Sequence, residues 1–172
     1  MGDKVSGVKI RLKVIGSEDC FACRGCCTFD EAYLDYAPLF TDEQRERVLA
    51  EFHEEGVEFV AVGRMWRIGL RALPGTGRCV CPLLDRRTWG CRVYGYGVFD
   101  CDTWPYQVQV RGGRRLLTVT PECPVVGEDR MAALVARGAE LMPQMLDGVT
   151  AYPERLMPDY EGVLVLADLG PA

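Results

Sequence analysis

The spacing of apolar and charged residues predicts strands in the first half of the chain. Residues 9–14 (KIRLKV) alternate with the period of two that is typical of a half-buried strand. Residues 57–62 (VEFVAV) and 65–73 (MWRIGLRAL) show strand-like patterns on either side of Gly63-Arg64. These segments predict two strands that are joined by a tight turn.

The second half of the chain predicts a hairpin and a long helix. Residues 106–120 contain two strand-like runs around Gly112-Gly113, and glycine suits the positive φ values of a two-residue hairpin loop. Residues 127–146 place apolar side chains at helical spacing, and Pro143 is expected to end or kink this helix.

A surface helix in the first half begins at a recognisable cap. Thr41 and Gln44 fit the capping-box pattern, and residues 42–55 (DEQRERVLAEFHEE) continue as a helix that ends at Gly56. Residues 162–169 (GVLVLADL) predict a last strand. The chain therefore predicts a small α+β domain with antiparallel strands and hairpins, a few helices and cysteine-rich loops.

Length and composition indicate one domain. The 172 residues are 48% hydrophobic, which is enough for one ordinary core, and the chain is too short for two independent ones. The net charge of -5 argues against a general nucleic-acid binder. Residues 64–115 nevertheless contain ten arginines and three acids, so a site for an anionic partner is an alternative to solvated strand faces.

The apolar runs predict neither secretion nor membrane insertion. Residues 1–16 lack the continuous apolar segment of a secretory signal, and no apolar run approaches ~18 residues. We therefore expect a soluble, cytoplasmic protein. In a reducing compartment, nine cysteines favour metal binding or redox chemistry over structural disulfides.

Four of the cysteines lie within eight positions in the stretch DCFACRGCCTF. Cys20, Cys23 and Cys26 have the two-residue spacing of metal chelation, and Cys27 follows directly. Adjacent side chains diverge by about 100° in a helix and about 180° in a strand. Cys26 and Cys27 therefore do not easily bind one small ion together, which favours two centres or one centre with a further thiol nearby.

Five further cysteines lie in loops and strand ends among glycines and prolines, as turns around a bound ion require: Cys79, Cys81, Cys91, Cys101 and Cys123. The single histidine, His53, lies in the acidic helix as a solvated residue, so thiolate is nearly the only soft ligand. This donor set indicates zinc or an iron–sulfur cluster. Without Cys79, which we interpret as a buried hydrophobic residue, eight cysteines suffice for two sets of four. A single cluster with separate thiols fits equally well.

Some residues beside these cysteines have two interpretations. Arg24 and Arg92 adjoin ligand candidates, where they could offset the negative charge of a thiolate site or simply face solvent. Trp89 and Trp104 are interpreted as core residues, or as residues that shield a metal from water.

The ordered cysteine motifs resemble those of a known family. Their order is Cys-x2-Cys-x2-Cys-Cys, Cys-Pro-Leu-Leu-Asp, Gly-Cys-Arg-Val-Tyr, Cys-x3-Pro and Cys-Pro, from Cys20 to Pro124. In this order the chain resembles the CxxCxxCC family, the YkgJ-type zinc- or iron-chelating domain, to which flagellin lysine N-methylase is related. The resemblance implies one metal-binding domain over residues 1–172, with the motif region at 20–124 and a C-terminal helix and tail at 127–172.

The resemblance also implies a set of metal ligands, carried by the motif cysteines Cys20, Cys23, Cys26, Cys27, Cys81, Cys91, Cys101 and Cys123. The chain departs from the family where Gly97-Val98 replaces a common Arg-Pro, and where Asp102 follows the loop cysteine in place of a basic residue. A function that depends on positive charge at those positions is therefore not expected here.

These observations favour a metal-binding protein that holds an iron–sulfur cluster or zinc, in one or two centres, for a structural or electron-transfer role. An enzyme is the first alternative, either an iron–sulfur oxidoreductase or a protein associated with lysine methylation. No glycine-rich turn opens a helix to cradle a nucleotide-like cofactor. A thiol redox protein, or a scaffold whose arginines dock an acidic protein or RNA, is the second alternative. A protein or redox partner is expected, and a membrane is not.

Overall fold

Three β-sheets organise residues 27–123 and 126–172, the part of the chain that the computed structural model describes. The strands are β1 (Thr28–Asp30), β2 (Leu39–Phe40), β3 (Phe59–Val62), β4 (Met65–Ile68), β5 (Arg71–Leu73), β6 (Arg78–Val80), β7 (Tyr106–Arg111), β8 (Arg114–Val119), β9 (Met157–Pro158) and β10 (Leu164–Pro171). The sheet orders are β1-β6-β5, β2-β4-β3 and β10-β8-β7-β9. All strand pairs are antiparallel except β7-β9, which is parallel.

The helices complete an α+β fold, as the sequence predicted. They are α1 (Asp42–Glu51), α2 (Phe99–Thr103) and α3 (Met131–Ala151), with short 3₁₀ helices at Glu31–Tyr36, His53–Glu55, Glu128–Arg130 and Pro153–Arg155. Among the residues that the structure describes, no helix is both long enough and apolar enough to span a bilayer. The strand predicted at residues 9–14 lies outside the described residues.

The predicted cap of α1 is confirmed. Thr41 Oγ1 accepts a hydrogen bond from Gln44 N at 3.3 Å, and Gln44 Oε1 accepts one from Thr41 N at 3.0 Å. The helix ends earlier than predicted, because the backbone at Phe52 leaves helical angles and a 3₁₀ turn follows. Gly56 then closes that turn with a φ of 60°, a conformation that glycine adopts without steric cost.

The run predicted as one strand over residues 65–73 is two strands in two sheets. β4 ends at Ile68, and Gly69 N donates to Glu58 O at 2.8 Å before the chain continues as β5. A Cβ at Gly69 would lie 3.2 Å from Glu58 O, so the backbone approaches closely at this crossing. Alternation of apolar and polar residues continues through the break, and therefore the pattern alone does not reveal it.

One of the two main cores lies between the predicted hairpin and α3. The hairpin β7/β8 forms as expected, with positive φ at both Gly112 and Gly113. Its apolar face packs on the long helix through a buried cluster: Tyr106, Val108, Leu117, Val119, Leu134, Leu141, Met145 and Val149. The helix continues through Pro143 to Ala151, so an end at the proline is wrong.

The other main core lies between α1 and the two smaller sheets. Its buried residues are Ala37, Phe40, Val48, Val57, Ile68, Cys81, Leu83, Val93 and Val98. Cys27 and Cys91 are partly buried against the same cluster. This core therefore places cysteines from distant motifs next to one another.

Candidate metal centre

Strand pairing brings Cys27 beside Cys81. Thr28 on β1 pairs with Val80 on β6, and continuing this register by one residue places Cys27 opposite Cys81. The Cys81 N–H donates to the Cys27 carbonyl at 2.8 Å, which confirms that the pairing extends to these residues. Directly opposite residues in an antiparallel pair have Cβ atoms about 4.5–5.5 Å apart. The first motif and the Cys-Pro-Leu-Leu-Asp motif thus meet at one end of a sheet.

A tight loop returns the chain from Cys81 to Cys91. Leu84 pairs with Cys91 in an isolated antiparallel bridge, and Arg92 N donates to Leu83 O at 3.0 Å. Leu83 is fully buried in the same core, so the loop base is fixed by packing as well as by hydrogen bonds.

Asp85 closes the tip of this loop. Its Oδ1 accepts from Arg87 N at 2.8 Å, and its backbone N–H donates to Gly90 O at 3.0 Å. Trp89 adopts a φ of 58°, which is uncommon for a residue with a side chain. The hydrogen bond from Arg87 N keeps the pKa of Asp85 below its ordinary value, so the carboxylate is charged while it holds the turn.

Helix α2 carries Cys101 toward the same place. Its preceding residue, Asp100, accepts a hydrogen bond from Leu39 N at 2.8 Å, which fastens the helix to β2. Burial raises the pKa of Asp100, while that hydrogen bond and the charges of Arg155 and Arg67 act in the opposite direction. Val98, just before the helix, is buried in the core that also contains Cys81.

Cys101 lies within electrostatic range of the other three thiols. Burial raises the pKa of Cys101 well above its usual range, and the charges of Cys91 and Cys81 raise it further. Asp100 and Cys27 add effects in the same direction. Part of the Cys101 residue is exposed to solvent, but protein surrounds its sulfur atom. Burial is therefore the largest cause of the raised pKa of this thiol.

Two further thiols of this group, those of Cys81 and Cys91, are also held in the neutral form. Burial raises the pKa of Cys81 to about 12, and the charge of Cys91 contributes to this rise. Burial likewise raises the pKa of Cys91, and the carboxylate of Asp102 raises it further. Burial raises the pKa of Asp102 itself to about 6. A nearby arginine, Arg92, lowers the pKa of both thiols but does not overcome burial.

The structure thus brings together four of the eight cysteines that the sequence offered as metal ligands: Cys27, Cys81, Cys91 and Cys101. Cys123 is buried in another cluster, against Trp104 and Val126. Cys20, Cys23 and Cys26 lie outside the described residues. Cys79 is buried inside its sheet, between Phe29 and Ala72 on the neighbouring strands.

Within residues 27–123 and 126–172, no group of three or more histidine, cysteine, aspartate or glutamate side chains is arranged so that it could hold a metal ion. The four thiols are therefore neighbours without forming a closed ligand set among the described residues. The side chain of His53 is 71% exposed and lies beside Glu54.

Two residues near the thiols were missed as parts of the site by reasoning from the sequence. Asp102 affects Cys91 electrostatically, although it was noted only as a departure from a family pattern. Asp85 holds the loop between two motifs, and its position before Arg-Arg-Thr-Trp-Gly is typical of an aspartate that bonds its own turn. That signal could have been recognised in the sequence.

Comparisons with known proteins identify no relative. No family model, curated protein or solved structure matches the chain.

The arginine-rich middle of the chain is largely paired within the protein. Six of its ten arginines form ion pairs with carboxylates: Arg64–Glu154, Arg67–Asp35, Arg78–Asp30, Arg92–Glu55, Arg111–Asp159 and Arg114–Asp168. Their charge is therefore neutralised locally, which favours the interpretation as solvated strand faces over a surface for an acidic partner.

Proposed function

We propose that this protein binds a metal through cysteine thiolates and holds either an iron–sulfur cluster or zinc, in a structural or electron-transfer role. The observation that supports this proposal is the convergence of Cys27, Cys81, Cys91 and Cys101. These cysteines come from widely separated motifs; Cys81 is buried in one core, and Cys27 and Cys91 pack against that core.

The donor chemistry fits a soft cation. Burial and mutual repulsion keep the thiols of Cys81, Cys91 and Cys101 protonated on their own, whereas a bound cation deprotonates a coordinating thiol outright. Zinc and iron–sulfur clusters are the centres that thiolates prefer. The four cysteines would hold such a centre together with cysteines of the preceding segment, Cys20, Cys23 and Cys26.

The core supplies a site that favours retention of the centre. Leu83, inside the loop that joins Cys81 to Cys91, and Val93, two residues after that loop, are buried in the same cluster as Cys81. When bound, an iron–sulfur cluster supplies a one-electron redox group and zinc supplies a structural cross-link. The chain contributes the ligands, their orientation and a low local dielectric.

Thiol redox chemistry is a second candidate because Cys27 lies opposite Cys81 across β1 and β6. A two-electron oxidant such as hydrogen peroxide would join these two sulfurs in a disulfide, with water as the reduced product. The buried, neutral thiol of Cys81 is a poor nucleophile, so this reaction is expected to be slow while the fold is intact.

Elemental analysis and an absorption spectrum of protein purified without oxygen test the proposal. Broad visible absorption with bound iron and sulfide would indicate a cluster, and colourless protein with stoichiometric zinc would indicate a zinc site. Metal-free protein that stays folded in chelator and reductant would contradict both. If that protein forms a Cys27–Cys81 disulfide with peroxide, as peptide mass mapping would show, the thiol redox candidate replaces metal binding.

A further inference from the structure

Three tyrosine rings form a ladder between the 3₁₀ helix at Glu31–Tyr36 and the segment after β9. The ring centres of Tyr33 and Tyr36 are 5.9 Å apart, and those of Tyr36 and Tyr160 are 5.7 Å apart. The interplanar angles are 68° and 86°, so each pair forms a corner between a ring face and a ring edge. These three residues are called the tyrosine ladder below.

The ladder is anchored at one end and exposed at the other. The Tyr160 hydroxyl donates to Thr120 Oγ1 at 2.9 Å, directly after β8, and burial raises the pKa of Tyr160. At the other end Tyr33 is 54% exposed, and its neighbour Leu34 is also exposed. Tyrosine is enriched in protein interfaces and among the residues that contribute most to their affinity. The ladder therefore has the composition of a binding surface on a fixed support.

An acidic residue lies near the anchored end of the ladder. Glu122 is exposed, and its carboxylate accepts a hydrogen bond from the hydroxyl of Thr120, a neutral partner that does not offset its charge. After burial, which is the largest cause, the charge of Glu122 raises the pKa of both Tyr160 and Tyr36. Glu122 is therefore within electrostatic range of two of the three rings.

An open depression of about 380 Å³ adjoins the same end of the ladder. Its lining consists of Arg111, Asp159, Tyr160, Glu161, Gly162 and Val163. Arg111 and Asp159 form an ion pair at 2.7 Å and neutralise each other. Glu161 is exposed and forms no ion pair within the part of the chain that the structure describes. The depression is therefore negatively charged on balance, which suits a basic side chain.

The spacing of the rings matches an extended proline-rich chain. A polyproline II helix rises about 3.1 Å per residue, so two residues advance ~6.2 Å, close to both ring-to-ring steps. Its carbonyls have no internal hydrogen bonds and need donors from a partner. The hydroxyls of Tyr33 and Tyr36 have no hydrogen-bond partner among the described residues and can supply them. Aromatic-lined surfaces bind such segments because the chain is already ordered before it docks.

We propose that the tyrosine ladder, with Glu122 and Glu161 at one end, is a docking surface for a proline-rich segment of a partner protein that carries basic residues beside its prolines. The prolines pack into the two corners between the rings, and a basic side chain enters the depression beside Glu161. The proposed surface does not include the thiols, so it can stand or fail independently of the proposed metal binding.

Fluorescence anisotropy on the whole purified chain tests this surface with three labelled peptides of about ten residues, ~30 Å long in the polyproline II form. The first is proline-rich and ends in two arginines, the second has alanine in place of every proline, and the third has glutamine in place of the arginines. We expect saturable binding of the first peptide that weakens with added salt. The other two should each bind at least about fivefold more weakly.

Substitutions locate the binding on the ladder. We expect Tyr33→Ala to weaken the first peptide about tenfold and to leave urea unfolding unchanged, because this ring is exposed. Glu161→Gln should weaken the first peptide but not the third, which has no arginine. Tyr94→Ala is the matched control, because Tyr94 is a 75% exposed tyrosine outside the ladder, and it should bind the first peptide like wild type.

Three results would each overturn the docking surface. They are the absence of saturable binding of the first peptide, equal binding of the alanine peptide, and an equal loss of affinity in Tyr33→Ala and Tyr94→Ala. The second result would reduce the interaction to attraction between charges. Metal-free protein that binds the first peptide as predicted would support the docking surface while metal binding fails.

Discussion

Single residues in this protein take their roles from neighbours that are distant in sequence. Cys81 is a buried side chain of an ordinary core, yet the strand register places it opposite Cys27 and a closed loop places it near Cys91. Cys79, two residues earlier in the same strand, is surrounded by its own sheet. Two cysteines of similar burial therefore have different expected functions, and contacts rather than exposure separate them.

Tyr106 shows how one buried polar group links stability to pH. Its hydroxyl donates to the Leu134 carbonyl at 2.9 Å, and burial raises the pKa of the phenol to about 12. The phenol of an unfolded chain ionises near pH 10, so between about pH 10 and pH 12 the unfolded state releases a proton that the folded state retains. Stability is fully present below that window and falls as the pH rises through it.

We therefore expect Tyr106→Phe to be less stable than wild type by about 1 kcal/mol at pH 8, because it loses a buried hydrogen bond. At pH 11 the difference should be smaller, since phenylalanine has no proton to release on unfolding. Urea unfolding at both pH values measures the two differences. A difference that stays constant with pH would show that Tyr106 ionises with an ordinary pKa.

Secondary-structure elements followed the sequence where their signals are local. The cap at Thr41 and the Gly112-Gly113 hairpin depend on residues a few positions apart, and both form as predicted. The break at Gly69 and the continuation through Pro143 depend on packing with distant segments. Periodicity contains no information on those contacts, which explains why these two boundaries were wrong.

The cap of α1 has a second contact that connects the helix to the candidate centre. Gln44 Nε2 donates to Gly97 O at 2.8 Å, shortly before the helix that carries Cys101. The capping box therefore fixes both the helix start and the approach to α2. The four-residue capping motif predicted where the helix starts. The contact between Gln44 and Gly97 joins residues that are distant in sequence, so only the structure reveals it.

Substitution of the cap measures its contribution. Thr41→Ala removes the acceptor for Gln44 N and should lower the free energy of unfolding by about 1 kcal/mol. Thr41→Ser keeps the hydroxyl and should remain close to wild type. Thermal or urea unfolding of the two variants gives the comparison, and equal losses would indicate that the hydroxyl hydrogen bond is not responsible.

At the scale of the whole molecule, the fold has two main cores with different content. The hairpin and α3 enclose one apolar core, whereas the core beside α1 contains Cys81 and has Cys27 and Cys91 packed against it. The sequence predicted convergence of distant cysteines from their number and spacing. It could not predict which ones meet, because this depends on the β1-β6 register and on the loop that Asp85 closes.

Metal content across cysteine variants tests most directly whether these thiols hold a common cation. Protein is purified without oxygen, and bound zinc, iron and sulfide are measured per chain in wild type, Cys81→Ser, Cys91→Ser and the control Cys79→Ser. We expect wild type and Cys79→Ser to carry the same stoichiometric metal, and the other two variants to lose most of it. Equal metal content in all three variants, or folded wild-type protein without metal, would contradict the proposed centre.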